Sequence, residues 1–200
     1  MANTGVLNFS TAANVDDSTG SAWTTVNNAL ADGSGATTVV LTDGGHSDYC
    51  KVTNPGSHGI PSGSTIDGIQ FDIQRNASLN GVDDQITDRH VYVVVGGTIQ
   101  TTWADRKSAT VWPTSETNKT YGGATDKWSN PGTWADTDFG STFGVVISVN
   151  ATATVSNTAS IDLITCTIYY TAPAGHPAGR RQGVATMILR PRGHDGQFIF

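Results

Sequence analysis

The chain has 200 residues, of which 37% are hydrophobic and only 14% are charged. This length is enough for one domain with a buried core, so neither disulfides nor metal ions are needed to hold it together. Thr, Ser, Asn and Gly replace the missing charges, and no apolar stripe with helical spacing persists, which predicts strands and turns with almost no helix. No apolar run approaches the length that spans a bilayer, so we expect no membrane partner.

Charge is distributed unevenly along the chain. Residues 1–171 contain seven Lys and Arg against sixteen Asp and Glu, a net charge of -9, whereas residues 172–200 contain four Arg and one Asp, a net charge of +3. Nucleic-acid surfaces need clustered cations, so the acidic body argues against a nucleic-acid partner. The first residues lack the basic and apolar regions of a secretory signal, so we expect synthesis in the cytoplasm.

Several segments alternate apolar and polar residues, as half-buried strands do. The segment GIQFDIQR places Ile69, Phe71 and Ile73 on one face, and RHVYVVVGG, FGVVISVN and SIDLITCTIYY repeat the pattern. Weaker candidates are GVLNF, TTVVL, YCKVT and GTIQTTW. Turn-forming clusters separate these segments, and the pair Asn80-Gly81 is predicted to be a hairpin tip before the strand of Val91. We therefore predict an all-β fold, an antiparallel β-sandwich of jelly-roll type.

Composition divides the chain into three segments. We predict a sandwich domain over residues 1–171, a Pro/Gly linker over 172–183 and an extended, apolar and basic C-terminal arm over 184–200. The residues predicted to dock on a partner are Met187, Ile188, Leu189, Arg190, Arg192, Phe198, Ile199 and Phe200. Apolar groups need a surface to bury against, so we predict docking on a neighbouring copy and a homo-oligomer. The alternatives are that the arm folds back as the last strand of its own sandwich, that it binds DNA through its arginines, or that it is partly disordered.

The sequence contains none of the usual catalytic motifs. There is no nucleophile elbow, zinc-protease helix, P-loop or dinucleotide-binding motif, so we expect no enzyme activity and no cofactor. The segment DGGHSDY (43–49) groups two carboxylates with an imidazole, but a Gly-rich turn explains it. The segment DDQITD (83–88) lacks the spacing of a calcium loop, so Asp83, Asp84 and Asp88 are predicted to be solvated hairpin carboxylates. We therefore expect no metal site.

The two cysteines, Cys50 and Cys166, are far apart and lack the close spacing of a zinc site. A free cysteine behaves as a small hydrophobic residue, so we predict two buried free thiols. A disulfide between neighbouring strands is the alternative.

Aromatic residues cluster in the third quarter of the chain: Trp103, Trp112, Tyr121, Trp128 and Trp134. Such rings either close the open ends of a sandwich or stack on the apolar faces of sugars beside short polar groups. The second hypothesis assigns Trp112, Tyr121 and Trp128 to a glycan-binding surface.

Five segments, IPSGSTIDGIQFDIQR, DRHVYVVVGGTI, WPTSETNKTYGGATDKWS, ADTDFGSTFGVVISV and ASIDLITCTIYYT, together resemble a β-sandwich module of tailed-bacteriophage virion structural proteins. The resemblance covers residues 60 to 171 and offers no active-site residues, and the chain departs from the module after Ala172. It implies a virion component assembled in the bacterial cytoplasm, with a major capsid or tail protein and copies of itself as partners. We expect capsid decoration or cement; a glycan-binding, receptor-binding module of a tail fibre or tailspike is the alternative.

Overall fold

The computed structural model describes residues 1–33 and 35–175. The predicted docking residues of the C-terminal arm, from Met187 to Phe200, and most of the predicted linker lie outside the described residues. The predicted domain is represented almost completely, because its last strand ends at Thr171.

Strands and turns account for the described residues, as the composition predicts. No α-helix occurs among them, only two 3₁₀ turns at Val26–Ala29 and Asp136–Phe139, and none of their helices is long and apolar enough to cross a membrane. The eleven strands are β1 (Ala2–Asn3), β2 (Leu7–Asn8), β3 (Thr11–Val15), β4 (Thr37–Leu41), β5 (Tyr49–Thr53), β6 (Thr65–Ser78), β7 (Gln85–Val95), β8 (Thr98–Ile99), β9 (Thr117–Gly123), β10 (Gly144–Thr152) and β11 (Asn157–Thr171).

The strands form two antiparallel sheets that pack face to face. One sheet has six strands in the order β1-β11-β6-β9, with β2 and β4 also paired to β11; the other has five in the order β3-β5-β10-β7-β8. The long central strands β6 and β11 pair along almost their whole length. The antiparallel sandwich of jelly-roll type predicted from the sequence is therefore confirmed.

The alternating segments place their apolar residues between the sheets. On β6, Ile69, Phe71 and Ile73 are fully buried, while the intervening residues face away from the core. The other alternating strands contribute Val91, Val93, Val145, Ile147, Val149, Ile164, Cys166 and Ile168 to the same core. The long strands β6 and β11 thus have an apolar inner face toward the core and an outer face on the opposite side of the sheet.

The predicted hairpin at Asn80-Gly81 is not formed. Strand β6 belongs to the six-stranded sheet, whereas β7 belongs to the five-stranded sheet. The intervening residues therefore cross from one sheet to the other instead of reversing the chain within one sheet. An Asn-Gly pair supplies a turn, but it does not determine which strands pair on either side of it.

Two of the three carboxylates of the DDQITD segment are buried, not solvated as predicted. Asp83 is exposed, but Asp84 and Asp88 are each only 5% exposed. Asp84 accepts hydrogen bonds from the Gly81 N–H, the Thr154 N–H and the Asn157 side chain, at 2.6–2.8 Å. These bonds join the β6–β7 connection to the β10–β11 connection, and they stabilise the carboxylate in its charged form.

We expect Asp84→Asn to reduce the acid sensitivity of folding. The Thr154 N–H, together with Asn157, outweighs burial and holds the pKa of Asp84 below its usual range. A lowered folded-state pKa adds stability above the unfolded pKa, about 4, which is lost as pH falls through the folded value. Urea unfolding over an acidic pH series measures this loss, which the variant should lack. The exposed neighbour provides the control, Asp83→Asn; an unchanged acid slope in Asp84→Asn would contradict the prediction.

Both cysteines are free and buried, which confirms the prediction made from the sequence. Burial raises the pKa of Cys50 to about 12, and burial together with the charge of Asp72 also raises the pKa of Cys166. The thiolate is the reactive form of cysteine, so both thiols are chemically inert in the folded domain.

Candidate functional site

The three aromatic residues predicted to bind glycan lie in the core instead. Trp112, Tyr121 and Trp128 are 1%, 3% and 0% exposed, respectively. A ring must present a face to solvent before a sugar can stack on it. As folded, these side chains therefore close the sandwich, and any glycan-binding surface of the domain uses other residues.

Trp112 and Tyr121 are held inside by a buried ion pair between Arg75 and Asp88. The indole N–H of Trp112 donates to Asp88 Oδ1 at 2.8 Å, and the Tyr121 hydroxyl donates to Asp88 Oδ2 at 2.9 Å. The Arg75 guanidinium lies 4.7 Å from the centroid of the Trp112 ring and donates to the Tyr121 hydroxyl. Burial, and then the charge of Asp88, raises the pKa of Tyr121, which keeps its hydroxyl protonated as a donor. The network fastens β6, β7 and β9 together across the two sheets.

Trp128 has a comparable structural role. Its indole N–H donates to the carbonyl of Ile69 at 3.0 Å, and its ring meets Phe71 edge to face at a centroid distance of 5.2 Å. The residue adopts the left-handed conformation, with φ of 55°. Such a conformation is uncommon for a bulky residue, so packing and the hydrogen bond hold it in place.

Polar side chains cover the outer face of the six-stranded sheet. The pleat turns every second residue of β6 and β11 away from the core, and the adjoining strands β2 and β9 extend the same face. We call this surface the polar face; its residues are Asn8, Gln70, Asp72, Gln74, Asn118, Thr120, Thr165, Thr167 and Tyr169. Amides, hydroxyls and a carboxylate dominate it, so it can both donate and accept hydrogen bonds.

A groove of about 230 Å³ lies in the polar face. It is lined by Val6, Asn8, Asp72, Gln74, Asn118, Leu163 and Thr165. The side chain of Gln74 contributes to this lining, although its Oε1 atom is itself buried and has no hydrogen-bond partner among the described residues. Val6, which is 69% exposed, adds apolar surface beside the polar groups.

Hydrogen bonds position the carboxylate of the groove. Thr120 donates to Asp72 Oδ1 at 2.6 Å, and the Gln70 amide donates to Asp72 Oδ2 at 2.7 Å. Gln70 is held in turn by the Tyr169 hydroxyl at 3.1 Å. A carboxylate has about four acceptor positions, so Asp72 retains two for a ligand.

The sequence of β6 indicates a polar outer face, although the glycan-binding hypothesis made from the sequence names the aromatic residues instead. The pattern Gln-x-Asp-x-Gln on one side of β6 places two long amides around a carboxylate, where an ordinary exposed strand face would carry mixed charges. No pattern in the sequence predicts that Asn8 and Asn118 belong to this face, because they lie on other strands that are far from β6 in the sequence.

The outer face of the five-stranded sheet is more closed. Tyr92, Val94 and Val146 form a small cluster there that is 8% exposed or less, and Tyr49 and Ile99 pack against it. His90 stacks on Tyr92 and contacts Asp105 at 2.8 Å through Nδ1. These rings therefore pack against one another and expose little surface to a ligand.

One group of carboxylates, Asp16, Asp17 and Asp48, brings its oxygens within 4.8 Å of one another. Asp17 pairs with Arg89 and with His46, and Asn14 donates to Asp48 at 2.7 Å. Burial alone would raise the pKa of Asp17, but the hydrogen bonds from Arg89 and the Thr19 N–H outweigh it and lower the pKa. Asp17 and Asp48 thus have partners within the protein, and His46 of the DGGHSDY segment is one of them.

No protein family matches the chain, and no curated protein resembles it in sequence. Among solved structures, one described as "CBM4 structure and function" aligns with a TM-score of 0.39 and 12% identity, over 81% of this chain and 93% of that chain. The N-terminal cellulose-binding domain of Cellulomonas fimi β-1,4-glucanase C aligns with a TM-score of 0.34 and 14% identity, over 84% and 89%. Likeness at this level carries no argument about what the present chain binds.

Proposed function

We propose that this domain is a non-catalytic glycan-binding module and that the groove of the polar face is its binding surface. The observation that carries the proposal is the lining of the groove, where the amides of Asn8, Gln74 and Asn118 lie together with the Thr165 hydroxyl and the Asp72 carboxylate. Sugars present hydroxyls that both donate and accept, beside apolar C–H faces. The groove offers the complement, with Val6 and Leu163 as its apolar contacts.

The same lining supports binding without catalysis. Glycoside hydrolysis ordinarily needs two carboxyl groups flanking the bond that breaks. In the part of the chain that the structure describes, Asp72 is the one carboxylate that lines the groove. A hydrolytic role would therefore lack its second group at this site.

A glycan array followed by calorimetry tests the proposal. We expect specific binding that Gln74→Ala and Asn118→Ala each weaken about tenfold, the equivalent of one hydrogen bond. Asn150→Ala is the matched control, because this amide lies on the other sheet, where it contacts Thr87. Equal loss in the control, or binding that ignores both groove variants, would contradict the assignment of the site.

A structural subunit of a tailed-phage particle is the second candidate. Its support is the resemblance over residues 60 to 171, whose five segments form β6, β7, β9, β10 and β11. In this role the partners would be a major capsid or tail protein and further copies of the chain, and the site of function would be the virion. If the protein binds no glycan on the array but is present in purified phage particles, the structural role is favoured. In a tail fibre or tailspike the two roles would coincide.

A further inference from the structure

The polar face is organised in rows that run across the strands. Asn8, Thr165, Asp72 and Thr120 are successive partners on β2, β11, β6 and β9. Neighbouring strands lie about 4.8 Å apart, so this row extends about 14 Å at right angles to the strands. A hydrogen-bonding ligand that followed the row would contact four strands at once.

A second row runs beside the first. Leu163, Gln74 and Asn118 are successive partners on β11, β6 and β9, one pleat further along. The groove is lined from both rows, so its floor extends across the strands and not along a single one. The first row supplies the carboxylate, two hydroxyls and the Asn8 amide, and the second supplies the amides of Gln74 and Asn118 and an apolar contact, Leu163.

The charge of the groove selects among ligands. Among the described residues that line the groove, Asp72 is the one ionisable residue, and none is Lys or Arg. An acidic sugar would place its carboxylate or sulfate near Asp72 with no cation in the lining to balance the two like charges. Like charges a few ångströms apart at a protein surface repel strongly enough to weaken binding about tenfold or more. The net charge of -9 on residues 1–171 acts in the same direction.

We infer that the groove takes an uncharged glycan chain that lies across strands β2, β11, β6 and β9, and that Asp72 excludes acidic glycans. This inference rests on the proposed glycan-binding function and specifies its ligand class. Asp72 has a double role, since its free acceptor positions receive sugar hydroxyls while its charge rejects anionic sugars. Asn8 on β2 and Asn118 on β9, the outermost lining residues across the sheet, mark the two ends of the bound segment.

An array that carries neutral, sialylated, uronic-acid and sulfated glycans tests the ligand class. Neutral glycans should bind at least about tenfold more tightly than acidic ones. The variant Asp72→Asn keeps the size and part of the hydrogen bonding of the side chain but removes its charge. We expect this variant to narrow or abolish the preference for neutral glycans, whereas Asp67→Asn, outside the groove lining, should not change it.

The dependence of binding affinity on glycan length tests whether the ligand lies across the strands. For the neutral glycan that binds best, affinity should rise from the monosaccharide to short oligomers and then level off. Asn8→Ala should weaken binding of the oligomers but leave that of the monosaccharide nearly unchanged, with Asn150→Ala again as the control. If acidic glycans bind best, or if Asp72→Asn leaves selectivity unchanged, the inference is overturned while the proposed function stands. If no glycan binds, both fail.

Discussion

Replacing Asp88 by asparagine is expected to lower the free energy of unfolding by about 3–5 kcal/mol, because it leaves the buried guanidinium of Arg75 without its counter-charge. The substitution is nearly isosteric, so it creates no cavity, and the loss reports on charge and hydrogen bonding. Asp88 accepts from Arg75, Trp112, Tyr121 and the Ser108 N–H. An amide nitrogen at the same place would face donors instead of accepting from them.

Urea unfolding measures this effect. The control is Lys107→Ala, which removes an exposed ion pair to Asp105 at 3.7 Å and should cost less than about 1 kcal/mol. A double-mutant cycle between Asp88→Asn and Arg75→Met isolates the pair, since removing both charges should cost clearly less than the sum of the two single changes. A loss below about 1 kcal/mol for Asp88→Asn would show that the network does not fasten the two sheets as described.

The second large effect concerns Trp128, where we expect Trp128→Ala to cost about 3–5 kcal/mol of unfolding free energy. The indole is fully buried, so its removal leaves a cavity beside Phe71 and deprives the Ile69 carbonyl of its donor. The change should therefore act on the fold itself. Thermal or urea unfolding gives the measurement, and Val82→Ala, at a fully exposed side chain, provides the control.

This experiment also separates a structural from a binding role for the aromatic cluster. If Trp128 contacted a sugar, its replacement would abolish binding and leave stability close to that of the native protein. The burial predicts the reverse: a destabilised domain whose folded fraction keeps its affinity for glycan. Should Trp128→Ala fail to fold, Trp128→Phe retains most of the ring volume and allows binding to be measured on a folded protein. A stable variant without binding would contradict the structural role.

Packing and function thus use different parts of the same strands. The inner face of β6 carries Ile69, Phe71, Ile73 and Arg75, which anchor the core and the buried ion pair. The alternate residues of β6 form its outer face, and two of them, Asp72 and Gln74, line the proposed groove. Substitutions on the outer face should therefore change binding with little effect on stability, because the core contacts lie on the opposite side of the sheet.

The class of fold and the apolar faces of the long strands could be predicted from the amino-acid sequence alone. Low charge and the absence of helical spacing excluded helices, and the alternation in GIQFDIQR assigned Ile69, Phe71 and Ile73 to the core, as the structure confirms. Period-two alternation is a local property of the chain, so it can be recognised from neighbouring residues alone. The burial of the two free thiols followed in the same way from their apolar character.

Which residues contact one another could not be predicted from the sequence and follows from the fold. It placed β6 and β7 in different sheets, buried Asp88 against Arg75, turned Trp112, Tyr121 and Trp128 inward, and aligned Asn8, Thr165, Asp72 and Thr120 in one row. Strand partners and register arise from contacts between segments that are far apart in the sequence, and alternation is equally compatible with many pairings. A buried carboxylate likewise needs a partner that comes close only in the folded protein. The sequence segment DDQITD, taken alone, therefore predicts solvated carboxylates.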